Sequence, residues 1–142
     1  MEPAWSKAEK EVAALLEQLT SDGYLVFNNI RFKYGNIDHF IIRPDGVAFL
    51  VETKSHHGRI TTDGKQLLLN TRPFAKNYLC QVNRNIRWLR GMAKKVFGLN
   101  RWYVAVIVFP NAQVPIKTSV KRVNVMDANG LLNFIRSYSR GN

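Results

Sequence analysis

The stretch "IDHFIIRPDGVAFLVETKSHHG", residues 37–58, decides how this chain folds. Two apolar runs flank the tetrapeptide "RPDG" at residues 43–46, and Pro, Asp and Gly together are a strong turn signal. The pattern therefore predicts two antiparallel strands joined by a tight turn. Because successive side chains of a strand point to opposite faces, Glu52 and Lys54 share one face and lie about 7 Å apart along the backbone.

The predicted hairpin brings a second carboxylate beside this acid. Asp38 shares a face with Phe40 and Ile42 at the start of the first strand, and antiparallel pairing about the turn makes Asp38 face Glu52. Two adjacent carboxylates repel unless they share a proton or a metal, and Mg²⁺ prefers oxygen ligands. With Lys54 on the same face, the pattern indicates phosphodiester hydrolysis. An exposed ion pair between Glu52 and Lys54 is the open alternative, since an E-x-K pattern alone also fits it.

A helix precedes these strands, and another strand pair follows them. The segment "SKAEKEVAALLEQL", residues 6–19, has apolar residues at helical spacing with Ser6 as a cap. "YLVFNNIRF", residues 24–32, has the pattern of a strand. "GRITTDGKQLLLN", residues 58–70, predicts a small hairpin that turns at Asp63-Gly64.

The second half continues the alternation of elements. A long helix is predicted over residues 75–96, with an apolar stripe that runs as far as Val96. The nearly continuous apolar run at residues 102–110 indicates a central strand, and residues 120–126 and 128–138 indicate a short strand and a closing helix. The order α-βββ-α-β-β-α predicts an α/β fold with a mixed central sheet flanked by helices on both faces.

Composition restricts the class of protein. The chain has 142 residues, of which 46% are hydrophobic, so we expect one domain over residues 1–142. The lone Cys80 excludes an internal disulfide and a CxxC zinc site, and we expect it to be buried and reduced. No apolar stretch approaches the roughly 20 residues of a membrane span, and the N-terminus lacks a signal-peptide pattern. These features predict a cytoplasmic protein with no membrane partner.

The charge is strongly asymmetric along the chain. Residues 1–70 carry eight Lys or Arg and nine Asp or Glu, whereas residues 71–142 carry thirteen Lys or Arg and one acid, Asp127. The two halves sum to −1 and +12. Such an excess favours a polyanionic partner, because Lys and Arg that neutralise phosphates release counterions. A generally basic soluble protein is the alternative.

The long helix carries much of this charge. Its basic side chains either track phosphates or form a solvated helix face, and we favour the phosphate role. The histidine pair His56 and His57 follows Lys54 in a loop, where adjacent side chains diverge, so we expect solvent exposure or phosphate contact and not metal ligation. The candidate nucleic-acid-binding residues are Arg84, Arg87, Arg90, Lys94, Lys95, His56 and His57.

The combination of Glu9, "IDHFIIRPDGVAFLVETKSHHGRI" and Gln81 after "NTRPFAKNYLC" resembles the nuclease-related domain (NERD) family of the restriction-endonuclease-like PD-(D/E)xK superfamily. The similarity covers roughly residues 6–110. The resemblance implies a restriction-endonuclease-like fold with an α-βββ-α-β core. Ile37 stands where the superfamily has proline before the metal-binding aspartate, as is usual in the NERD pattern.

The resemblance also implies roles for individual residues. Asp38 and Glu52 would be metal ligands, and Lys54 the catalytic lysine. Glu9 would help to hold metal or water, and Gln81 would assist the site from the next helix. The backbone carbonyl of Thr53 is a further candidate ligand.

These observations predict a Mg²⁺- or Mn²⁺-dependent nuclease that cuts DNA through metal-activated water. RNA stays open as a substrate. The chain has no helix-turn-helix or zinc-finger pattern, which favours structure-selective or weakly sequence-specific recognition. Many members of the superfamily act as dimers, so a homodimer is a candidate assembly. The alternative function is a catalytically inactive nucleic-acid-binding module on the same fold.

Overall fold

The computed structural model describes residues 5–33, 35–99 and 101–140. The helices are α1 Lys7–Glu17, α2 Tyr78–Phe97 and α3 Leu131–Ser137, with a 3₁₀ turn at Thr20–Asp22. The strands are β1 Leu25–Phe32, β2 Gly35–Ile42, β3 Ala48–Thr53, β4 Gly58–Thr62, β5 Leu67–Leu69, β6 Arg72–Pro73, β7 Tyr103–Val108, β8 Ala112–Gln113 and β9 Val123–Met126.

The main sheet has the strand order β1-β2-β3-β7-β9. The first three strands are antiparallel, and β7 and β9 run parallel to β3. The crossover from β3 to its parallel neighbour β7 contains α2, as a parallel connection requires. The predicted α/β class, the mixed sheet and the α-βββ-α-β order are confirmed.

The "RPDG" turn joins β2 to β3 as predicted. The N–H of Gly46 donates to the carbonyl of Arg43 at 2.8 Å, and Gly46 has a φ of 93°, which glycine adopts without strain. The Arg43 guanidinium forms a two-point contact with Asp45, whose Oδ1 also accepts from the N–H of Val47. These contacts fix a register that pairs Ile42 with Ala48.

Each face of the sheet buries its own hydrophobic cluster. Leu50 and Ile107 face α2, which contributes Leu79, Val82 and Ile86 to that side. The opposite face packs against α1 and α3, and its buried members include Val12, Leu16, Phe49, Val51 and Ile135. The near-continuous apolar runs of β3 and β7 follow from this arrangement, because both faces of these central strands are covered.

The helix ends differ slightly from the predicted bounds. Ser6 caps α1, and its Oγ accepts from the N–H of Glu9 at 3.0 Å. The long helix begins at Tyr78 and not at residue 75, because Asn77 acts as its N-cap and accepts from the N–H of Cys80.

Two predicted burials on α2 are wrong. Val96 is 61% exposed, since the fully buried positions of the helix end at Ile86 and its last turns extend past the core. Cys80 is exposed as well, because it lies beside the buried positions Leu79 and Val82 and points away from the sheet.

A smaller sheet with the order β6-β5-β4-β8 lies beside the main one. The predicted hairpin at Asp63-Gly64 joins β4 to β5, and Asp63 Oδ1 accepts from the N–H groups of Lys65 and Gln66. The two-residue strands β6 and β8 were not predicted, since pairs so short leave no periodicity to detect. Within the described ranges, no helix has the length and apolar character to span a bilayer.

Candidate active site

Strands β2 and β3 separate at the point where the predicted acids lie. Their pairing runs from Ile42 opposite Ala48 to His39 opposite Val51 and stops there, although both strands continue. The next positions along this register are Asp38 and Glu52. The N–H of Thr53 donates to Asp38 Oδ2 at 2.9 Å, so a carboxylate takes the place of a ladder partner. The carboxylate of Asp38 therefore lies at the separated strand ends.

Glu52 is a buried acid that lacks a complete set of partners. Its residue exposure is only 3%, and its buried Oε1 has no hydrogen-bond partner among the residues that the structure describes. The pKa of Glu52 is raised to about 9, chiefly by burial and further by the charge of Asp38 and a hydrogen bond to it. The charge of Lys54 acts in the opposite direction. At neutral pH the metal-free pair therefore holds a proton on Glu52.

Lys54 lies over an aromatic ring at the start of α2. Its Nζ is 4.3 Å from the centroid of the Tyr78 ring, a cation–π distance that restricts the lysine head group. The Tyr78 hydroxyl is in turn 3.0 Å from His56 Nε2. The ring of His56 packs edge-on to Phe74, with centroids 4.9 Å apart. Tyr78 thus connects the predicted catalytic lysine to the aromatic packing around it.

Of the two settings expected for His56, solvent exposure does not hold, and phosphate contact stays a prediction. The side chain is half-buried, and burial followed by the nearby charge of Lys54 lowers its pKa. Its neighbour His57 is exposed, so the two side chains do diverge. Aromatic side chains from the chain after β6, from α2 and from the chain after β7 converge on His56, which no local pattern in the sequence reveals.

Gln81 lines a groove that also contains Asn36, a contact of Asp38. The groove has a volume of about 130 Å³ and separates α2 from the β1–β2 hairpin. Gln81 and Arg84 line it from the helix, and Asn36 lines it from β2. The amide of Asn36 donates to Asp38 Oδ1 at 3.4 Å. The groove therefore connects the predicted helix residue Gln81 to the carboxylate of Asp38 through one intervening side chain.

A polar network holds β2 and β3 together from the opposite face. His39 is 1% exposed, with Nδ1 at 2.8 Å from Asn28 Oδ1 and Nε2 at 2.9 Å from Thr53 Oγ1. Because the Asn28 oxygen only accepts, Nδ1 carries the proton and Nε2 accepts from the hydroxyl of Thr53. Burial lowers the pKa of His39 to about 4, despite the opposing charge of Asp38, which keeps the ring neutral. Thr53 thus links this histidine to Asp38.

Removal of the histidine is expected to destabilise the site. In His39→Ala the buried Thr53 hydroxyl and the Asn28 amide lose their partner, and a cavity forms. We expect a loss of about 3 kcal/mol in the free energy of unfolding, measured by urea denaturation at pH 7. His57→Ala, at an exposed position, is the matched control and should stay within about 0.5 kcal/mol of wild type. Equal stability of the two variants would contradict this role.

Glu9 lies apart from the two central acids. It occupies the first turn of α1, which packs on the face of the sheet opposite to α2. Glu52 has the strand parity of Leu50, so it points to the α2 face. In the part of the chain that the structure describes, no His, Cys, Asp and Glu side chains form a group of three or more at metal-binding spacing. Glu9 as a third ligand stays a prediction, as does the carbonyl of Thr53.

The predicted basic residues of α2 lie on two sides of the helix. Arg84 lines the groove beside Gln81, whereas Arg87 and Arg90 line a separate cleft toward β7 and β9. Lys94 and Lys95 are exposed in the last turns. A helix places residues three apart about 60° from one another, so a run of basic residues at this spacing turns gradually around the helix. The single cationic face expected from the sequence is therefore distributed between two surfaces.

The profile of one protein family matches most of this chain. It is described as the nuclease-related domain, and it covers residues 4–110. The chain belongs to the nuclease-related domain family. The matched range includes α1, the β1–β3 strands, α2 and β7, and thus every predicted site residue. A nuclease-related function is supported on this ground.

Similarity outside the family is limited. No curated protein matches this nuclease-related domain. Among solved structures, a repair endonuclease from Pyrococcus abyssi is similar at 16% sequence identity with a TM-score of 0.45. The similarity covers 87% of this chain and 48% of that one, so this chain spans about half the length of the endonuclease.

The chemistry of the pair Asp38 and Glu52 suits a hard divalent cation. Asp38 and Glu52 offer carboxylate oxygens, and the buried Oε1 of Glu52 still lacks a partner. An unpartnered buried acceptor is costly, and a cation would both satisfy it and offset the repulsion between the two acids. Two carboxylates match Mg²⁺ or Mn²⁺, which retain several waters in protein sites.

Three supporting residues of this site are not predicted from the sequence. His39 is adjacent to Asp38 within an apolar strand pattern, where the available signal is that a polar residue on a buried face must find a partner. Tyr78 lies three positions before Gln81, and this helical spacing places both near the site. Asn36 lies two positions before Asp38 on the same strand, so strand alternation was the available signal.

Proposed function

We propose that this chain is a Mg²⁺- or Mn²⁺-dependent nuclease that hydrolyses DNA phosphodiester bonds at a site formed by Asp38, Glu52 and Lys54. The observation that carries the proposal is the buried, partnerless Oε1 of Glu52 next to Asp38. A structural ion pair would leave no such atom, because its acceptors would be paired. Membership in the nuclease-related domain family supports the same chemistry.

Asp38 and Glu52 would hold the cation. When bound, Mg²⁺ or Mn²⁺ supplies Lewis acidity, which polarises a phosphate oxygen and makes water a stronger nucleophile. Asp38 is positioned for this role by the N–H of Thr53 and the amide of Asn36. Glu52 must lose its proton before it acts as a ligand, so acid pH opposes metal binding.

Lys54 would act on the phosphate. It lies two positions beyond Glu52 on the same face, and Tyr78 restricts its ammonium group. A cation placed here stabilises the negative charge that develops on the phosphate in the transition state, or orients the attacking water. The groove of Gln81 and Arg84 next to Asp38 would receive the neighbouring part of the substrate.

DNA is the proposed substrate class, with RNA as an outcome of the test below. The basic excess of the second half, with Arg84, Arg87, Arg90, Lys94 and Lys95 on α2, would supply phosphate contacts. Structure-selective or weakly sequence-specific cutting, a homodimer, a cytoplasmic location and a single domain over residues 1–142 belong to the same proposal.

A nucleic-acid-binding module without activity is the second candidate. One observation favours it: in the described ranges the two central acids have no third acidic, His or Cys side chain grouped with them. A binding role would use the basic residues of α2 and leave Lys54 without a chemical task.

A panel of substrates separates the two functions. With millimolar Mg²⁺ or Mn²⁺, we expect the purified protein to cut at least one of duplex DNA, branched DNA, single-stranded DNA or RNA. EDTA should stop the reaction. Lys54→Met, purified in the same way, should lose about a hundredfold or more of this rate, which excludes a contaminant. Lys10→Met, on the exposed surface of α1, is the matched control. Binding without cleavage of any substrate would favour the module.

A further inference from the structure

A basic cleft lies on the side of α2 away from the groove of Gln81. It has a volume of about 1020 Å³ and separates α2 from β7, β9 and the chain that precedes β9. None of the described residues that line it is acidic. Its basic lining residues are Lys65, Arg87, Arg90, Lys121 and Arg122. The cleft therefore concentrates positive charge in a recess, where the field of several cations adds up.

The turn that carries Lys121 and Arg122 is unusual. Val120 and Val123 exchange two backbone hydrogen bonds, of 2.8 and 2.9 Å, around these two residues. Both central residues have positive φ values, 50° and 67°. Such two-residue turns strongly prefer Asn and Gly, because side chains with a Cβ are strained there. Strained backbone of this kind is concentrated at functional sites, and here it presents two long cations.

The turn is fixed to the long helix. Asn83 Nδ2, on α2, donates to the carbonyl of Lys121 at 3.0 Å. Asn83 and Arg87 are one helical turn apart on α2, so this bond sets the turn of Lys121 and Arg122 opposite Arg87. The two walls of the cleft thus hold their cations at a defined separation.

An exposed aromatic ring lies among these cations. Trp102 lines the cleft and is 41% exposed, and its Nε1 donates to the hydroxyl of Tyr138 at 2.8 Å. The Arg140 guanidinium is 4.3 Å from the centroid of the Trp102 ring. A positively charged groove with a fixed aromatic ring is the combination that proteins use to bind single strands, with phosphates on the cations and bases on the ring.

We propose that this cleft binds a single strand of nucleic acid, with its phosphates on Arg87, Arg90, Lys121 and Arg122 and a base against Trp102. A duplex is read by an element that protrudes into its groove, whereas these cations line a recess. A duplex also keeps its base faces stacked and away from Trp102. The inference rests on the proposed function in that the strand is part of the nuclease substrate, but binding here needs no metal.

The test measures binding of a fluorescein-labelled oligothymidylate by fluorescence anisotropy in EDTA, at several salt concentrations. The variant Lys121→Asn with Arg122→Gly removes two charges and installs the residues that this turn prefers, so the fold is retained. We expect the affinity for the oligonucleotide at about 0.1 M salt to fall about tenfold or more. The slope of log K against log salt should shrink by about 1.4, which corresponds to two lost phosphate contacts.

Two further variants complete the design. Lys7→Ala with Lys10→Ala removes the same charge from α1, on the opposite face of the sheet, and should leave affinity nearly unchanged. Trp102→Ala should weaken binding about tenfold while the salt slope stays constant, because stacking releases no counterions. A duplex of equal length should bind more weakly than the single strand.

The outcomes separate this inference from the proposed function. If the turn variant binds the oligonucleotide with the affinity and salt slope of the α1 variant, the cleft is not the binding site, even where wild type cleaves DNA. Equal sensitivity of duplex binding to the turn variant would also overturn the single-strand assignment. If single-strand binding depends on the turn and on Trp102 but no substrate is cut with metal, the inference stands and the nuclease proposal fails.

Discussion

Glu52→Gln is expected to lower the rate of metal-dependent DNA cleavage by about a thousandfold or more. The substitution keeps the size of the side chain but removes the negative charge that would hold the cation. Asp38 alone would then bind the metal weakly, so both affinity and catalysis decline. The measurement is the initial rate of nicking or degradation of the best substrate of the panel, over a range of Mg²⁺ concentrations.

A matched control variant and a DNA-binding measurement show whether the loss of cleavage is specific to the site. Glu11→Gln removes an acid from the exposed surface of α1 and should cleave like wild type. Glu52→Gln should still bind DNA in EDTA with wild-type affinity, since no phosphate contact is lost. Full activity of Glu52→Gln would show that the cation, if needed, is held elsewhere, and the proposed site would be wrong.

The metal-free protein is expected to lose stability as pH rises from 6.5 to 9. In this window the unfolded chain has Glu52 ionised, whereas the folded chain keeps it protonated because its pKa is raised to about 9. The folded state binds more protons, so the free energy of unfolding falls by up to about 1.4 kcal/mol per pH unit. The charged groups that act on Glu52 are Asp38 from β2 and Lys54, which directly follows β3.

His39 sets the lower limit of this window. Its pKa is lowered to about 4, so its stabilising effect is complete above pH 6.5 and is lost as pH falls from 6.5 toward 4. The ring is neutral in the folded chain from pH 6.5 to 9, whereas in the unfolded chain it is half protonated at its ordinary pKa of 6.5 and almost fully neutral from about pH 7.5. Changes of stability above about pH 7.5 therefore report on Glu52 and not on His39.

Urea denaturation at pH 6.5, 7.5 and 8.5 measures the effect. Glu52→Gln should be more stable than wild type in EDTA and should lack the extra pH dependence, because the two proteins differ in no other ionisable group. Mg²⁺ should stabilise wild type more at pH 8.5 than at pH 6.5, because the ligand form of Glu52 is ionised. Mg²⁺ should leave Glu52→Gln nearly unchanged. Equal pH slopes for the two proteins would contradict the buried-acid interpretation.

Much of the site's placement could be predicted because its residues lie on local patterns. The "RPDG" turn fixes a register that brings Asp38 to the position opposite Glu52, and strand alternation places Lys54 on the face of Glu52. Pairing does end one position before the acids, which the sequence pattern did not indicate. The reason is that the Asp38 carboxylate accepts the hydrogen bond of the Thr53 N–H in place of a backbone carbonyl. A periodic pattern of apolar residues does not predict such a side-chain hydrogen bond.

Contacts between distant segments were beyond the local patterns. Tyr78 contacts Lys54, and Asn83 donates to the carbonyl of Lys121. The partners are so far apart in the sequence that no periodic pattern predicts either contact. The same limit explains the wrong burial of Val96, since the length of α2 that the sheet covers depends on the size of the whole sheet. It also explains why the sequence does not indicate that α1, which carries Glu9 in its first turn, packs on the sheet face opposite to α2.

The sequence by itself determined the α/β class, the order of the core elements, the turn between β2 and β3, and the face on which Glu52 and Lys54 lie. These follow from periodicity and turn chemistry, which act over a few residues. Only the tertiary structure decided that Glu52 is buried with an unpartnered oxygen, that α1 packs on the opposite face, and that α2 divides its arginines between two grooves. Burial and electrostatics depend on all the segments packed around a residue, and that environment exists only once the chain has folded.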